Sequence, residues 1–174
     1  MSNWNIDTAH SDIGFKVKHL MVSTVKGFFG SFKGSLKTDD DNFTNAVASF
    51  EADVASISTN NAQRDGHLKS GDFFDIEKFP TISFVSTSFT KKEENKYSVA
   101  GNFTMKGVTK EVTIDAVSNG IVTVAEGKRM ISLEISGVIN RQDFGVSWNA
   151  ALETGGVAVS NEVWLSANLE LIEE

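Results

Sequence analysis

Few side chains in this sequence are suited to chemistry, and they are widely scattered. The three histidines stand at positions 10, 19 and 67. Only His67 has acid and base beside it in the chain, in Arg64-Asp65-Gly66-His67. A His next to a carboxylate is the elementary unit of general-base catalysis, so His67 with Asp65, or else His19, is the base a lipid hydrolase or isomerase would use. The same cluster has two plainer readings: an ion pair stapling a helix to its support, or a solvated face. A further reading is a polar rim gripping a ligand head group. No two histidines lie at ligand spacing and HExxH is absent, so no metal is expected. Asp39-Asp40-Asp41-Asn42 lacks the alternating ligands and closing Glu of a calcium loop and reads as a solvated turn. With no Cys there is no thiol chemistry and no disulfide. GxSxG, the P-loop and GxGxxG are absent, so neither an assembled catalytic site nor a cofactor is expected.

Period-2 alternation dominates the elements that must carry these residues. Ile13, Phe15, Val17 and His19 share one strand face, with Lys16 and Lys18 on the other. His19 therefore reads either as a core-edge group bonded to a neighbour or as a polar group at a cavity end. Similar alternation runs through residues 46–54, 97–105, 129–139 and 163–171. Turn signals separate the strands: residues 38–42 and 92–95, Lys106-Gly107, Asn119-Gly120 and Glu126-Gly127. Residues 60–70 are polar and lack β-branched side chains, which predicts a short helix with Gly71 as its C-cap. The single proline, Pro80, opens the next strand. Phe29 and Phe32 are three apart, so a bulge near Gly30-Ser31 is needed to turn both inward and curve the strand. The pattern predicts an all-β antiparallel domain closing into a barrel of about eight strands, wide enough for packed side chains or one small ligand.

Phe supplies 13 of the aromatic residues against 3 Trp and 1 Tyr, giving much ring surface with almost no polar handles. Phe beside small residues (Gly14, Gly27, Gly30, Ala48, Ala52, Gly101) leaves room inside a barrel. Sixteen Lys and Arg against 23 Asp and Glu give a net charge of −7. That balance argues against nucleic acid as a partner and against adhesion to anionic lipid through surface charge. No stretch approaches the roughly 20 apolar residues of a spanning helix, so stable membrane insertion is not expected. The opening MSNWNIDTAHS has neither a basic n-region nor an apolar h-region.

The same residues carry a family resemblance. Trp4-Asn5-Ile6-Asp7 and His10-Ser11 lead to Phe15, Val17 and His19-Leu20, then to Gly27, Phe29, Phe32 and Gly34. The most specific stretch is Arg64-Asp65-Gly66-His67-Leu68-Lys69-Ser70, continuing through Asp72-Phe73-Phe74-Asp75 to Phe79-Pro80-Thr81-Ile82-Ser83-Phe84. Met105-Lys106-Gly107-Val108-Thr109-Lys110, Arg141-Gln142-Asp143-Phe144-Gly145, and Trp148-Asn149 to Gly155-Gly156-Val157 follow in order. Over nearly its whole length the chain resembles the YceI-like family of polyisoprenoid-binding, lipocalin-like barrels. The resemblance implies an extended eight-stranded antiparallel barrel with one short helix, residues 1–174 forming a single domain. It implies a long apolar ligand in an internal channel: a polyisoprenoid, a quinone-type tail or a fatty-acyl chain. Members are not generally regarded as enzymes, and homodimers are common. Many are exported; the expectation here is cytoplasmic, or periplasmic if a leader was removed. The channel lining is expected from Phe15, Val17, Phe29, Phe32, Phe84, Phe103, Ile131 and Phe144, with His19, Arg64, Asp65 and His67 at a polar end. Phe73, Phe74 and Phe79 are expected to dock the helix-to-strand connection instead. A dry-cored stress or interaction protein without ligand is the competing reading.

Overall fold

The computed structural model describes residues 1–153 and 155–174. Its strands are β1 (Ser2–Ile6), β2 (Asp12–His19), β3 (Ser23–Phe29), β4 (Phe32–Thr38), β5 (Val47–Asp53), β6 (Ile57–Ser58), β7 (Thr81–Glu93), β8 (Lys96–Met105), β9 (Val108–Thr123), β10 (Arg129–Asn140) and β11 (Glu162–Glu173). One helix, α1 (Ala62–Lys69), lies between β6 and β7. The pairing order is β1-β4-β5-β7-β8-β9-β10-β11, and β1 pairs again with β11, which closes the sheet. The β2-β3-β6 row continues alongside, because β2 takes up β11 where β1 leaves it. Thus β1 with β2, β3 with β4, and β5 with β6 are broken staves, and β7 to β11 are whole ones. The result is an up-and-down antiparallel barrel of eight staves, as the alternation predicts.

The breaks have local causes. At the first, Asp7 caps a 3-10 turn over Thr8–His10. At the second, Gly30 and Ser31 leave the ladder altogether, and their backbones bond to Ser56 and Asp53 of the next stave. This break does what the expected bulge would do: Phe29 and Phe32 both pack on the core although three apart. A true bulge lies elsewhere. Asn119-Gly120, expected as a turn, is an extra residue inside the continuous β9, between the Ser118–Leu133 and Ile121–Ile131 pairs, with Gly120 at φ 103°. Lys106-Gly107 does form a two-residue hairpin, Met105 facing Val108. The helix ends differently from expectation. Asn61 caps its start through the Arg64 amide, but its C-cap is Ser70 in extended backbone rather than Gly71.

One end of the barrel is packed solid. Trp4 and Ile131 are 0% exposed there, beside Leu36 and Leu171. Phe43 stands edge-on to Tyr97 at 4.9 Å and stacks on Phe89 at 6.3 Å. Arg129 lies over the Trp4 ring at 5.2 Å and makes a bidentate pair with Glu173 at 2.7 and 2.8 Å. The acidic run at residues 39–41 is more than a solvated turn. Asp41 accepts from Arg129 at 2.9 Å, and Asp40 caps the amides of Asn42 and Thr44. The Arg129 guanidinium holds the Glu173 carboxyl at about 2, below its ordinary 4.5.

Candidate functional site

Above that floor the staves do not meet. Val163, Leu165, Ala167 and Leu169 alternate inward on β11, yet all remain half-buried. Ile6, Ile13, Phe15, Val17, Ala48, Phe50, Ile114 and Ile135 share this state. Their free surface faces a cavity of about 630 Å³ inside the barrel. Glycines keep it open. A Cβ on Gly101 would stand 2.5 Å from the Phe84 ring, and one on Gly27 would strike Phe15. Phe15 thus lies over Gly27, its direct cross-strand partner, and Phe84 lies over Gly101, which is diagonal to it across the β7–β8 ladder.

The polar groups gather at the end opposite the floor. Asn61 and Gln63 of α1 are exposed and also line the cavity, so the lumen reaches solvent there. Arg64 and His67 are three apart on α1 and both line it. Arg64 is held by Thr59, with Nε on the hydroxyl and Nη2 on the carbonyl, both at 2.7 Å. His67 Nε2 meets Asp72 Oδ2 at 2.8 Å, and its ring sits edge-on to Phe73 and Trp148. His19 lines the same end and pairs with Val159 across a single bridge.

Of the residues expected on the channel, Phe15, Val17, Phe29, Phe84 and Phe103 lie on the cavity wall, as do His19, Arg64 and His67. Phe32, Ile131, Phe144 and Asp65 do not. Ile131 belongs to the solid floor. Phe144 lies in the 3-10 turn Arg141–Phe144, where strand alternation no longer applies, and backs onto Phe103 at 5.3 Å. Phe32 packs on Phe50, which itself lines the cavity. Asp65 turns back to accept from the Thr59 amide and hydroxyl, so it staples the helix start. His67 is thus paired with Asp72, and the His67–Asp65 dyad expected of an enzyme is not formed. Phe73 and Phe74, expected only to dock the helix, also line the cavity.

Arg141, part of the Arg141–Gly145 motif but given no site role in the sequence, also stands at this end. It is 3% exposed and lines the cavity. Its guanidinium donates to four backbone carbonyls, those of Val146, Trp148, Val159 and Ser160, at 2.7 to 3.3 Å. It thereby clamps the strand-poor segment between β10 and β11, and burial pushes its pKa below the ordinary guanidinium value. Among the described residues neither Arg64 nor Arg141 has a carboxylate within 4.0 Å, while His67 is paired with Asp72. Far from it, on the outer surface at the β1–β2 break, His10 Nδ1 meets Asp7 Oδ2 at 2.8 Å and Glu170 at 4.0 Å. The bond to Asp7 raises the His10 pKa. The three could share a cation, a grouping hidden in the sequence because Glu170 comes from the other end of the chain.

Comparison with known proteins agrees with this architecture. The profile of the YceI-like domain matches residues 4–171. The UPF0312 protein SA2479 of Staphylococcus aureus strain N315 is 42% identical over 171 residues, covering 98% of this chain and 97% of its own. The crystal structure of Burkholderia cenocepacia BcnA superposes with a TM-score of 0.83 at 24% identity, over 95% of this chain and 98% of that one. A polyisoprenoid binding domain from Saccharophagus degradans shares the fold at a TM-score of 0.68 and 13% identity, over 97% of both chains. The family profile spans nearly the whole chain and a relative of 42% identity covers 98% of it, so this chain belongs to the YceI-like family.

Proposed function

We propose that this protein is a carrier for a long apolar lipid of the polyisoprenoid, quinone-tail or fatty-acyl class. The tail lies in the lumen and an oxygen-bearing head group lies at the α1 end. The observation that carries this reading is the set of inward apolar side chains, Leu165, Ala167, Leu169 and their neighbours, facing about 630 Å³ of free space instead of one another. A volume of that order is typical of small-molecule sites. An apolar void in a closed barrel loses dispersion contacts all around its wall, and a lipid tail restores them. Each buried methylene contributes about 0.8 kcal/mol, so a long chain needs few polar contacts. Phe15, Phe29, Phe84 and Phe103 present no polar atom that such a tail would leave unpaired. At the open end Arg64 and Arg141 have no carboxylate within 4.0 Å among the described residues, His67 is paired with Asp72, and His19 lines the same wall, which favours a head group that accepts hydrogen bonds. The polyisoprenoid binding domain of shared fold supports the same class of ligand. A dry-cored protein would instead pack the inward side chains of facing staves against one another and leave no such space.

The test is organic extraction of the purified protein with mass spectrometry, followed by titration with lipids of graded length. A stoichiometric long-chain species, or submicromolar uptake of one, is the expected result. An empty extract together with no uptake of any chain rules the carrier out.

A further inference from the structure

The turn joining β2 to β3 is built against its own stability. Leu20 and Met21 sit at φ 52° and 66°, in the left-handed region that large L-residues avoid. The Val22 amide donates to the His19 carbonyl at 3.3 Å, closing a turn of the I′ kind, for which Asn-Gly is the favoured pair. Here that strained turn holds up Leu20, Met21 and Val22, which are 46%, 57% and 84% exposed. Val157 adds a further exposed apolar side chain from the clamped segment, and Met21 lies against its neighbour Gly156.

The strands beneath the turn carry a second unfavourable choice. From Ile13 to Thr38 the chain has five lysines and no acid, although the whole protein has a net charge of −7. Lys16 and Lys18 occupy the outward positions between Phe15, Val17 and His19, and Lys16 faces Lys26 directly across the ladder. Like charges so placed repel. Lys18 bonds only to the Thr24 hydroxyl, and no carboxylate partner for Lys16, Lys18 or Lys26 is found among the described residues. An apolar tip above a cationic stripe therefore stands at the open end of the lumen, beside His19 and Val159.

We infer that Leu20, Met21 and Val22, together with Lys16, Lys18 and Lys26, dock the open end of the barrel onto an anionic lipid bilayer. The inference gives the carrier reading above its donor or acceptor surface and rests on that reading only for its purpose. The lysines meet the negative headgroups while the apolar tip enters the interface. The acidic remainder of the chain is repelled, so the field that would oppose overall adhesion orients the molecule with its mouth to the membrane. The contact is peripheral and reversible, because three apolar side chains on a turn are far short of a spanning element.

The experiment is co-sedimentation of the intact protein with vesicles of phosphatidylcholine alone and of equal parts phosphatidylcholine and phosphatidylglycerol. The expected result is partition onto the anionic vesicles about tenfold or more above the neutral ones, falling as salt rises. Leu20→Asn with Met21→Gly installs the favoured turn pair. It is expected to raise the melting temperature while cutting vesicle binding about tenfold, opposite signs that a merely structural turn would not give. Lys16→Glu with Lys18→Glu is expected to abolish the anionic preference. Wild-type protein that stays in the supernatant with anionic vesicles at low salt overturns the inference. So do variants that bind like wild type, or a wild-type dimer that the Leu20→Asn, Met21→Gly variant converts to monomer. Titration with a soluble fluorescent fatty acid reads the lumen separately. Cargo uptake retained without vesicle binding refutes docking alone, and vesicle binding without uptake refutes the carrier alone.

Discussion

Replacing Ala167 by Phe separates an open lumen from a filled one. Ala167 sits in mid β11, opposite Ile135 on one side and Ile13 on the other, with its methyl toward the cavity. A phenyl ring added there occupies space otherwise open to a lipid tail. If it displaces roughly four methylenes at about 0.8 kcal/mol each, affinity falls by ~3 kcal/mol, roughly 200-fold in Kd. Folding stability moves the other way or stays level, because the ring is received by a void instead of being forced between packed groups. In a filled core the same substitution would over-pack and cost about 1–3 kcal/mol. Displacement of a fluorescent acyl or isoprenyl probe gives the Kd, and urea denaturation gives the stability. Wild-type affinity in Ala167→Phe, or a stability loss in the over-packing range, would refute the assignment of this space to ligand.

Other expectations follow from the same geometry. In a saturated acyl series each added methylene tightens binding about fourfold, until the chain outgrows the lumen and the slope vanishes; calorimetric titration reads the break. Arg141→Met leaves four carbonyls without their donor and is expected to cost roughly 3–5 kcal/mol in denaturant unfolding, with new protease cuts between β10 and β11. Arg141→Lys recovers little, since one ammonium cannot span the four. Glu173 titrates near 2 in the folded chain against an ordinary 4.5. Its contribution to stability is therefore complete above the ordinary value and is lost as pH falls through about 2. Acid-unfolding curves of Glu173→Gln should lack that component. Gly107→Ala, at φ 75° and with the Phe79 ring 2.7 Å from the new Cβ, is expected to lower the melting temperature of an otherwise unchanged barrel.

Much of the barrel was legible because period-2 alternation is a backbone property that needs no partner to be read. Residues 129–139 and 163–171 declared both their strands and their inward faces. Three features escaped for physical reasons. The Asn119-Gly120 pair has the composition of a turn, but its neighbours on β10 continue past it, so pairing turned it into a bulge. Gly71 lost the helix C-cap because the Ser70 amide and hydroxyl both reach the His67 carbonyl, which ends the helix a residue earlier. Phe73 and Phe74 were assigned to docking from their place after the helix, yet the segment folds back over the open end and brings them to the lumen. The polar end was partly legible: Arg64 and His67 announced themselves by type, while the roles of Asp65 and Arg141 depend on Thr59 and on carbonyls up to 19 positions away. No local pattern encodes those partners.

The pairing of β1 with both β4 and β11 closes the ladder around the floor of the barrel. Toward the α1 end β6 has no ladder to β7, and β9 and β10 part beyond the Asp115–Ser136 pair, so a chain-like guest enters from that end, tail leading and head trailing. Departure then runs the same track in reverse, one methylene at a time against a rising desolvation cost. Dwell time in such a tube grows geometrically with guest length. A short amphiphile would visit, a long one would stay until a bilayer at the mouth offers the emerging segment somewhere to go.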